Sequence, residues 1–238
     1  MKFYQSIHQF YDNIFPYNEQ QLRFVESQSK GKGKMLDVGC GTGSLAINMA
    51  KNGFDVTAID LEVEMIEIAK NKSTTQNPVF KVANMLNIDQ FFPCNHFDVI
   101  TCFGNTLVHL TDNNDVVKFL LHVNRLLKPE GKFLLQILNY EYILQNNITQ
   151  LPVIENDTIR FIREYVFLNT GYIEFRTSLF IKENAQTINN TVVLNPIKSI
   201  PLIELLEKRN FRKIDLFGNF SGSALTFDSL PLIISSIK

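Results

Sequence analysis

The segment Met35-Leu36-Asp37-Val38-Gly39-Cys40-Gly41-Thr42-Gly43-Ser44 decides how this chain is read. An apolar run of strand character enters a turn of three alternating glycines, and a helical stretch, Ser44–Lys51, follows. Glycine has no Cβ, so such a turn reaches positive φ and lets a ligand lie against bare backbone. The helix behind it offers unpaired N–H groups and the positive end of its dipole. Strand, glycine turn and helix in that order form a cradle for a nucleotide-type cofactor.

The spacing narrows the choice. A dinucleotide fingerprint reads G-x-G-x-x-G, its last glycine allowing close helix–strand packing below a pyrophosphate. Here the pattern is G-x-G-x-G, and Ser44 stands where the third fingerprint glycine would be. An acid, Asp37, precedes the first glycine. A second acid, Asp60, closes the apolar run Phe54-Asp55-Val56-Thr57-Ala58-Ile59, which reads as the next strand. A carboxylate there can accept both hydroxyls of a ribose. The plainer alternative is that it serves as the N-cap of a helix running from Glu62.

The chain has 238 residues, 45% of them hydrophobic, and a formal net charge of -1. That length suits one large α/β domain, or one domain carrying an insertion. The charge gives no electrostatic case for nucleic acid, and no apolar run approaches the roughly 20 residues of a membrane helix. The N-terminal stretch, with Gln5, Ser6, His8 and Gln9, lacks a signal-peptide core. Cys40, Cys94 and Cys102 are scattered without zinc or disulfide spacing, so a reducing cytoplasm is the simplest inference. His8, His96, His109 and His122 have no paired Cys, Asp or Glu spacing, and no metal is expected.

Helices and strands alternate over the first 140 or so residues. Helices are expected at Phe3–Tyr11 and Glu19–Gln28, then a strand at Lys34–Val38. The second strand ends at Asp60 and leads to a helix over Glu62–Asn71. Strands follow at Val79–Ala83 and Phe97–Phe103, then a helix at Asn114–Leu127. Pro129-Glu130-Gly131 makes a turn into the strand Lys132–Leu138. This alternation implies a parallel sheet covered by helices on both faces. Right-handed crossovers place the strand C-termini on one edge, where ligands of open α/β sheets bind. Asp37, Asp60, Asn84 and Phe103 all fall there.

Beyond about Gln150 the pattern becomes an antiparallel meander of Ile159–Leu168, Tyr172–Ile181 and Gln186–Val193. A helix at Leu202–Lys208, with Ser199 as N-cap and Pro201 in its first turn, precedes closing strands at Arg212–Phe217 and Leu230–Ile237. The expected organisation is a cofactor domain of residues 1–150 and 195–238, with an inserted antiparallel β lid of residues 151–194.

The first glycine segment resembles the (D/E)-x-G-x-G-x-G motif of the class I S-adenosylmethionine-dependent methyltransferases. Later segments resemble the glycine N-methyltransferase group within that family. Phe103-Gly104-Asn105-Thr106-Leu107-Val108-His109-Leu110 is similar to its G-N-(S/T)-x-x-H-L, and Ala83-Asn84-Met85-Leu86 to its A-N-aromatic-L. Leu127-Lys128-Pro129-Glu130-Gly131 looks like (L/V)-(K/R)-P-G-G, and Asn139-Tyr140-Glu141-Tyr142-Ile143-Leu144 like N-Y-D-x-I-L. Gly218-Asn219-Phe220 after a strand also matches bacterial small-molecule enzymes of the branch.

The resemblance implies a Rossmann-like, seven-stranded, mostly parallel sheet and methyl transfer from S-adenosylmethionine to a nitrogen or oxygen of a small molecule. It implies that the backbone at Gly39, Cys40, Gly41 and Gly43 approaches the methionine and ribose. Asp37 would reach the ammonium, or else stabilise the turn. Leu61 and Met65 would flank adenine, Met65 being also a good core residue, while Asn84 and Met85 meet the adenine edge. Phe103 and Gly104 would line the methionine end. Tyr4 and Tyr11 would close over the cofactor or simply pack. Asn105 and Tyr140 would orient the acceptor, and His109 would accept a proton or serve structurally.

In the glycine enzyme an arginine before the N-Y pair grips the substrate carboxylate; here that position is Leu138. Arg160, Arg163 and Arg176 of the meander could replace it, but all three read as solvated strand-face residues. Two other functions remain open at this level. One is a non-catalytic adenosylmethionine-binding sensor or partner subunit; the other, disfavoured by the glycine spacing, is a nicotinamide oxidoreductase. The sequence carries no sign of the oligomeric state.

Overall fold

The computed structural model describes residues 2–238. The first half contains α1 (Lys2–Ile7), α2 (Tyr11–Ile14), α3 (Glu19–Gln28), β1 (Lys34–Val38), α4 (Ser44–Lys51), β2 (Asp55–Asp60), α5 (Val63–Lys72) and β3 (Val79–Val82). Then come β4 (Phe97–Cys102), α6 (Asn113–Leu126), β5 (Leu127–Leu138) and α7 (Tyr140–Gln145). Next are β6 (Ile154–Glu155), β7 (Ile159–Phe167), β8 (Ile173–Ile181) and β9 (Gln186–Leu194), and finally α8 (Ser199–Lys208), β10 (Arg212–Phe217) and β11 (Pro231–Ile237).

The main sheet has seven strands in the order β10-β11-β5-β4-β1-β2-β3. β1 pairs in parallel with β2 and β4, β2 with β3, and β4 with β5, whereas β11 runs antiparallel to both β5 and β10. Both faces are covered, which is why apolar residues predominate on both faces of the central strands. Met35, Val99, Leu134 and Ile233 pack into the cluster with α3, α4 and α5, while Leu36, Ile100, Leu135 and Ile234 enter the opposite cluster with α6 and α8. Strand order reverses between β1 and β4, so a crevice opens where the loops after these two strands diverge. A second sheet, β6-β7-β8-β9, is wholly antiparallel.

Several boundaries differ from expectation. The N-terminal helix is broken by a 3-10 turn at His8–Phe10. The break lets Tyr11 swing toward Gly41 while Phe3 and Ile7 remain packed with Ile159 and Phe161 of β7. β5 begins at Leu127, five residues early, because the expected Pro129-Glu130-Gly131 turn is absorbed as a register shift against β4. Glu130 holds the positive φ there (65°), where the resembling group's turn carries glycine. Ser199 does not cap α8; it is the first helical residue, Lys198 is the cap, and the serine hydroxyl donates to Glu141 Oε2 at 2.5 Å. The strand β6, the short helix α7 and 3-10 segments at Met85–Gln90 and Thr106–His109 carry no clear periodicity and were not expected.

Gly43 shows how tightly the glycine turn is packed. Its φ is 77°, and a Cβ built there would lie 2.6 Å from Phe80 Cζ and 2.9 Å from Ala69 Cβ. Gly43→Ala is therefore expected to destabilise the protein by about 2–4 kcal/mol, from left-handed strain plus overpacking. Urea unfolding checks this; an unchanged midpoint would contradict the packing account.

Candidate active site

Two cavities, of about 430 Å³ and 280 Å³, open at the crevice beside the glycine turn. Tyr4, Tyr11, Gly39, Gly104 and His109 line both, forming the neck between two lobes. The smaller lobe is walled by the ends of β1 and β2 and by residues 83–86 beyond β3; the larger reaches Leu138 and the antiparallel sheet.

The glycine turn is tied to the end of β2. The amides of Gly39 and Cys40 both donate to the Ile59 carbonyl (2.8 and 3.0 Å), and that of Gly41 donates to Asp60 Oδ2 (2.8 Å). The other oxygen, Asp60 Oδ1, accepts the Glu62 amide at 3.0 Å, and α5 starts one residue later. Asp60 is thus a turn clamp rather than the helix cap, and its carboxylate edge faces the smaller lobe. Burial raises its pKa against the lowering effect of the two amides. The Gly41 N–H, engaged by Asp60, is not free for a pyrophosphate.

Asp37 lies deeper, 3% exposed, where Thr101 Oγ1 donates to its Oδ1 at 2.7 Å. Burial pushes its pKa up to about 6, the threonine hydrogen bond opposing the shift. Among the described residues, no lysine or arginine lines the smaller lobe. The whole neck region is therefore suited to a cation.

The N-terminal segment covers the neck. Tyr4 Oη and His109 Nε2 are 2.9 Å apart, and the Tyr11 ring stands over Gly41, where a Cβ would come within 2.9 Å of it. Burial pulls the His109 pKa down to about 4, so the ring is neutral at pH 7. Asp12 accepts the hydroxyls of Thr42 (2.5 Å) and Ser44 (3.4 Å) and pairs with Lys72 at 2.8 Å. Opposite, Asn105 adopts a left-handed conformation (φ 66°), its Oδ1 accepting the Leu138 amide (3.0 Å) and its Nδ2 donating to Tyr140 Oη (2.9 Å). Gln136 Oε1 accepts the Gly104 amide at 2.8 Å.

Most residues singled out in the sequence meet here. Asp37, Cys40, Phe103 and Asn105 line the larger lobe, and Gly41, Asp60, Leu61, Met65, Asn84 and Met85 the smaller. Asn84 also caps the 3-10 segment, accepting the Leu86 amide at 2.9 Å. Two do not reach a wall. Gly43 serves packing, as above, and Tyr140 is fully buried, touching the site through Asn105 and Tyr165. Gln136, Thr101 and Asp12 were missed. Their signal is tertiary: each matters through a partner at least 30 residues away, by a hydrogen bond to Gly104, Asp37 or Thr42.

Residues 35–131 match the family model described as a methyltransferase domain. The chain is 36% identical over 138 residues to YqeM of Bacillus subtilis (strain 168), a protein named as a methyltransferase, covering 56% of this chain and 55% of that protein. It is 26% identical over 194 residues to the glycine/sarcosine N-methyltransferase of Aphanothece halophytica, covering 80% of this chain and 70% of the relative. The chain spans little more than half the length of the first of these relatives. Its fold matches that of an S-adenosylmethionine-dependent methyltransferase from Clostridium acetobutylicum ATCC 824, with a TM-score of 0.82, 21% identity and 98% of each chain covered. Residues 35–131 thus carry a methyltransferase domain, and the fold of the chain is that of an S-adenosylmethionine-dependent methyltransferase. The family's cofactor fits the residues present. The carboxylates of Asp37 and Asp60 suit its positive charges, and a Cβ on Gly104 would project into open space, not into protein.

The raised pKa of Asp37 gives a pH test. Through this group the unliganded fold is favoured below the usual carboxylate range, a contribution lost as pH rises through about 6. A cationic ligand needs the opposite, ionised form. Adenosylmethionine affinity is expected to fall by up to about tenfold per pH unit below 6, as protons compete for Asp37. Calorimetry should show that Asp37→Asn binds more weakly at pH 7.5 and loses this dependence; a variant retaining the slope would assign it elsewhere.

Proposed function

We propose that this protein transfers a methyl group from S-adenosylmethionine to a nitrogen or oxygen of a small molecule. The observation that carries the reading is the two-lobed cavity, whose neck is formed by backbone at Gly39 and Gly104 and by the rings of Tyr4, Tyr11 and His109. One lobe suits the nucleoside and the other the acceptor, so that the two reacting groups face each other at the neck.

In this reading Asp60 accepts the ribose hydroxyls while still clamping Gly41. Leu61 and Met65 flank the adenine, and Asn84 with the Met85 backbone meets its edge. Asp37 receives the ammonium, and Cys40, Phe103 and Gly104 line the methionine chain. When bound, the cofactor supplies a methyl group on a positively charged sulfur, so displacement leaves a neutral thioether. What the chain supplies is alignment and exclusion of water, and orientation alone is worth on the order of 7–11 kcal/mol in well-ordered systems. Asn105, held by Leu138 and Tyr140, presents polar atoms to the larger lobe. His109, its pKa near 4, is a weak base at neutral pH and serves better as a neutral hydrogen-bonding partner. An amine arriving uncharged needs no base, and its surplus proton passes to solvent after transfer.

We read residues 1–150 and 195–238 as the cofactor unit and residues 151–194 as a cover over the acceptor lobe. Among the described residues no helix is long and apolar enough to cross a membrane. The three free thiols suit a reducing compartment such as the cytoplasm.

The test is to incubate the protein with methyl-labelled cofactor and a pool of small amines and hydroxy compounds. Label transferred to a pool member supports the reading, whereas tight binding without transfer would mark a binding protein. Asp60→Ala is expected to weaken cofactor binding on the order of 100-fold, because hydrogen bonds to a charged group are lost. Unchanged affinity would remove the ribose role.

A further inference from the structure

The cross-strand rows on the inner face of the antiparallel sheet are unequal. Phe161–Leu179–Ile188 and Tyr165–Phe175–Val192 are apolar, and between them lies the row Arg163–Thr177–Asn190. Arg163 shares its strand face with Ile159, Phe161 and Tyr165, all buried, so its side chain points where the strand otherwise points its core. It lines the larger lobe together with Leu151, Tyr165, Phe175 and Leu194. The other two arginines of this sheet are exposed and ion-paired, Arg160 with Glu155 at 3.7 Å and Arg176 with Glu174 at 2.5 Å. Arg163 has no acidic partner among the described residues.

A guanidinium carries five N–H donors. In Arg163, Nη2 donates to the Pro152 carbonyl at 2.8 Å, while Nε is buried without a partner. The hydroxyl of Thr177, its neighbour in the same row, is likewise buried and unpaired. A half-buried cation without a counter-charge is costly to keep in a fold. Its position also polarises the lobe, with the Asp37 carboxylate at the glycine-turn end and the guanidinium on the opposing sheet.

We propose that the acceptor of this protein carries a carboxylate, which seats on Arg163 among aromatic walls and directs the acceptor's nitrogen or oxygen toward the neck. The inference rests on the methyltransferase reading for its word acceptor, though the anion seat itself does not. Arg163 is thereby a specificity residue of the larger lobe, and amines or alcohols of the same shape without an anionic group are poor ligands.

The experiment is calorimetric titration of the protein with acetate, glycine and benzoate and with the corresponding amides, first alone and then saturated with S-adenosylhomocysteine. At least one carboxylate is expected to bind 10- to 100-fold more tightly than its amide, the range for a hydrogen-bonded charge pair. Arg163→Met should bring that carboxylate down to the level of its amide, and Arg163→Lys should retain part of the preference. Affinity for adenosylmethionine should stay within about twofold in both variants. The proposal is overturned if no carboxylate is preferred over its amide in the unaltered protein, or if Arg163→Met keeps the preference. It is also overturned if a folded Arg163→Met or Arg163→Lys loses cofactor affinity, since the charge then serves the cofactor's own carboxylate. Failure of S-adenosylhomocysteine to bind would count against the methyltransferase reading, and the titrations of the unliganded protein would still report on Arg163.

Discussion

The architecture of the site depends on how the turn after β1 disposes of its own amides. Gly39 and Cys40 hand theirs to the Ile59 carbonyl, and Gly41 hands its own to the Asp60 carboxylate. The turn is thereby stapled to the end of the neighbouring strand, in backbone conformations that glycine reaches with little strain. Those three amides are consequently engaged within the protein, and the two acids Asp37 and Asp60 stand beside the cavities. A phosphate-binding turn has the opposite polarity. This short piece of hydrogen bonding leaves an environment that suits a cationic cofactor, and it also requires β1 and β2 to end at the same level.

That level was readable in advance. The acids and the asparagine at strand ends, Asp37, Asp60 and Asn84, could be aligned because parallel strands with right-handed crossovers put all their C-termini on one edge. The alternation of helices and strands also carried the doubly covered sheet. What escaped was geometry that no local period encodes. The kink at His8–Phe10 exists because the N-terminal segment must touch both the antiparallel sheet and the glycine turn. The early start of β5 depends on Glu130 taking a conformation that its residue type seldom adopts.

The same distinction applies inside the site. Glycines 39, 41 and 43 look equivalent in sequence, yet the first two border the cavities and the third is wedged against Phe80 and Ala69. Tyr140 carries the motif and still faces inward, its hydroxyl serving Asn105. Arg163 sits in Ile159-Arg160-Phe161-Ile162-Arg163-Glu164-Tyr165, where polar and apolar residues occupy both strand faces. Only the ladder register with β8 and β9 shows which face looks into the lobe.

The N-terminal segment joins the molecule in two chemically different ways. Phe3, Ile7 and Ile14 share one apolar cluster with the antiparallel sheet, a cluster separate from those that bury the main sheet. Toward the cofactor unit its ties are largely polar and near the surface, chiefly Asp12 with Thr42 and Lys72, and Gln5 with Glu64 at 2.6 Å. Exposed pairs of that kind contribute about 0–1 kcal/mol each, far less than an apolar seam. The antiparallel sheet is itself anchored, because Tyr165, Ile173 and Leu194 belong to the cluster that buries the main sheet, so the polar ties are the weakest seam around the glycine turn. A small local opening of the neck would part this polar seam before either apolar cluster, and the residence time of a bound cofactor would respond to salt.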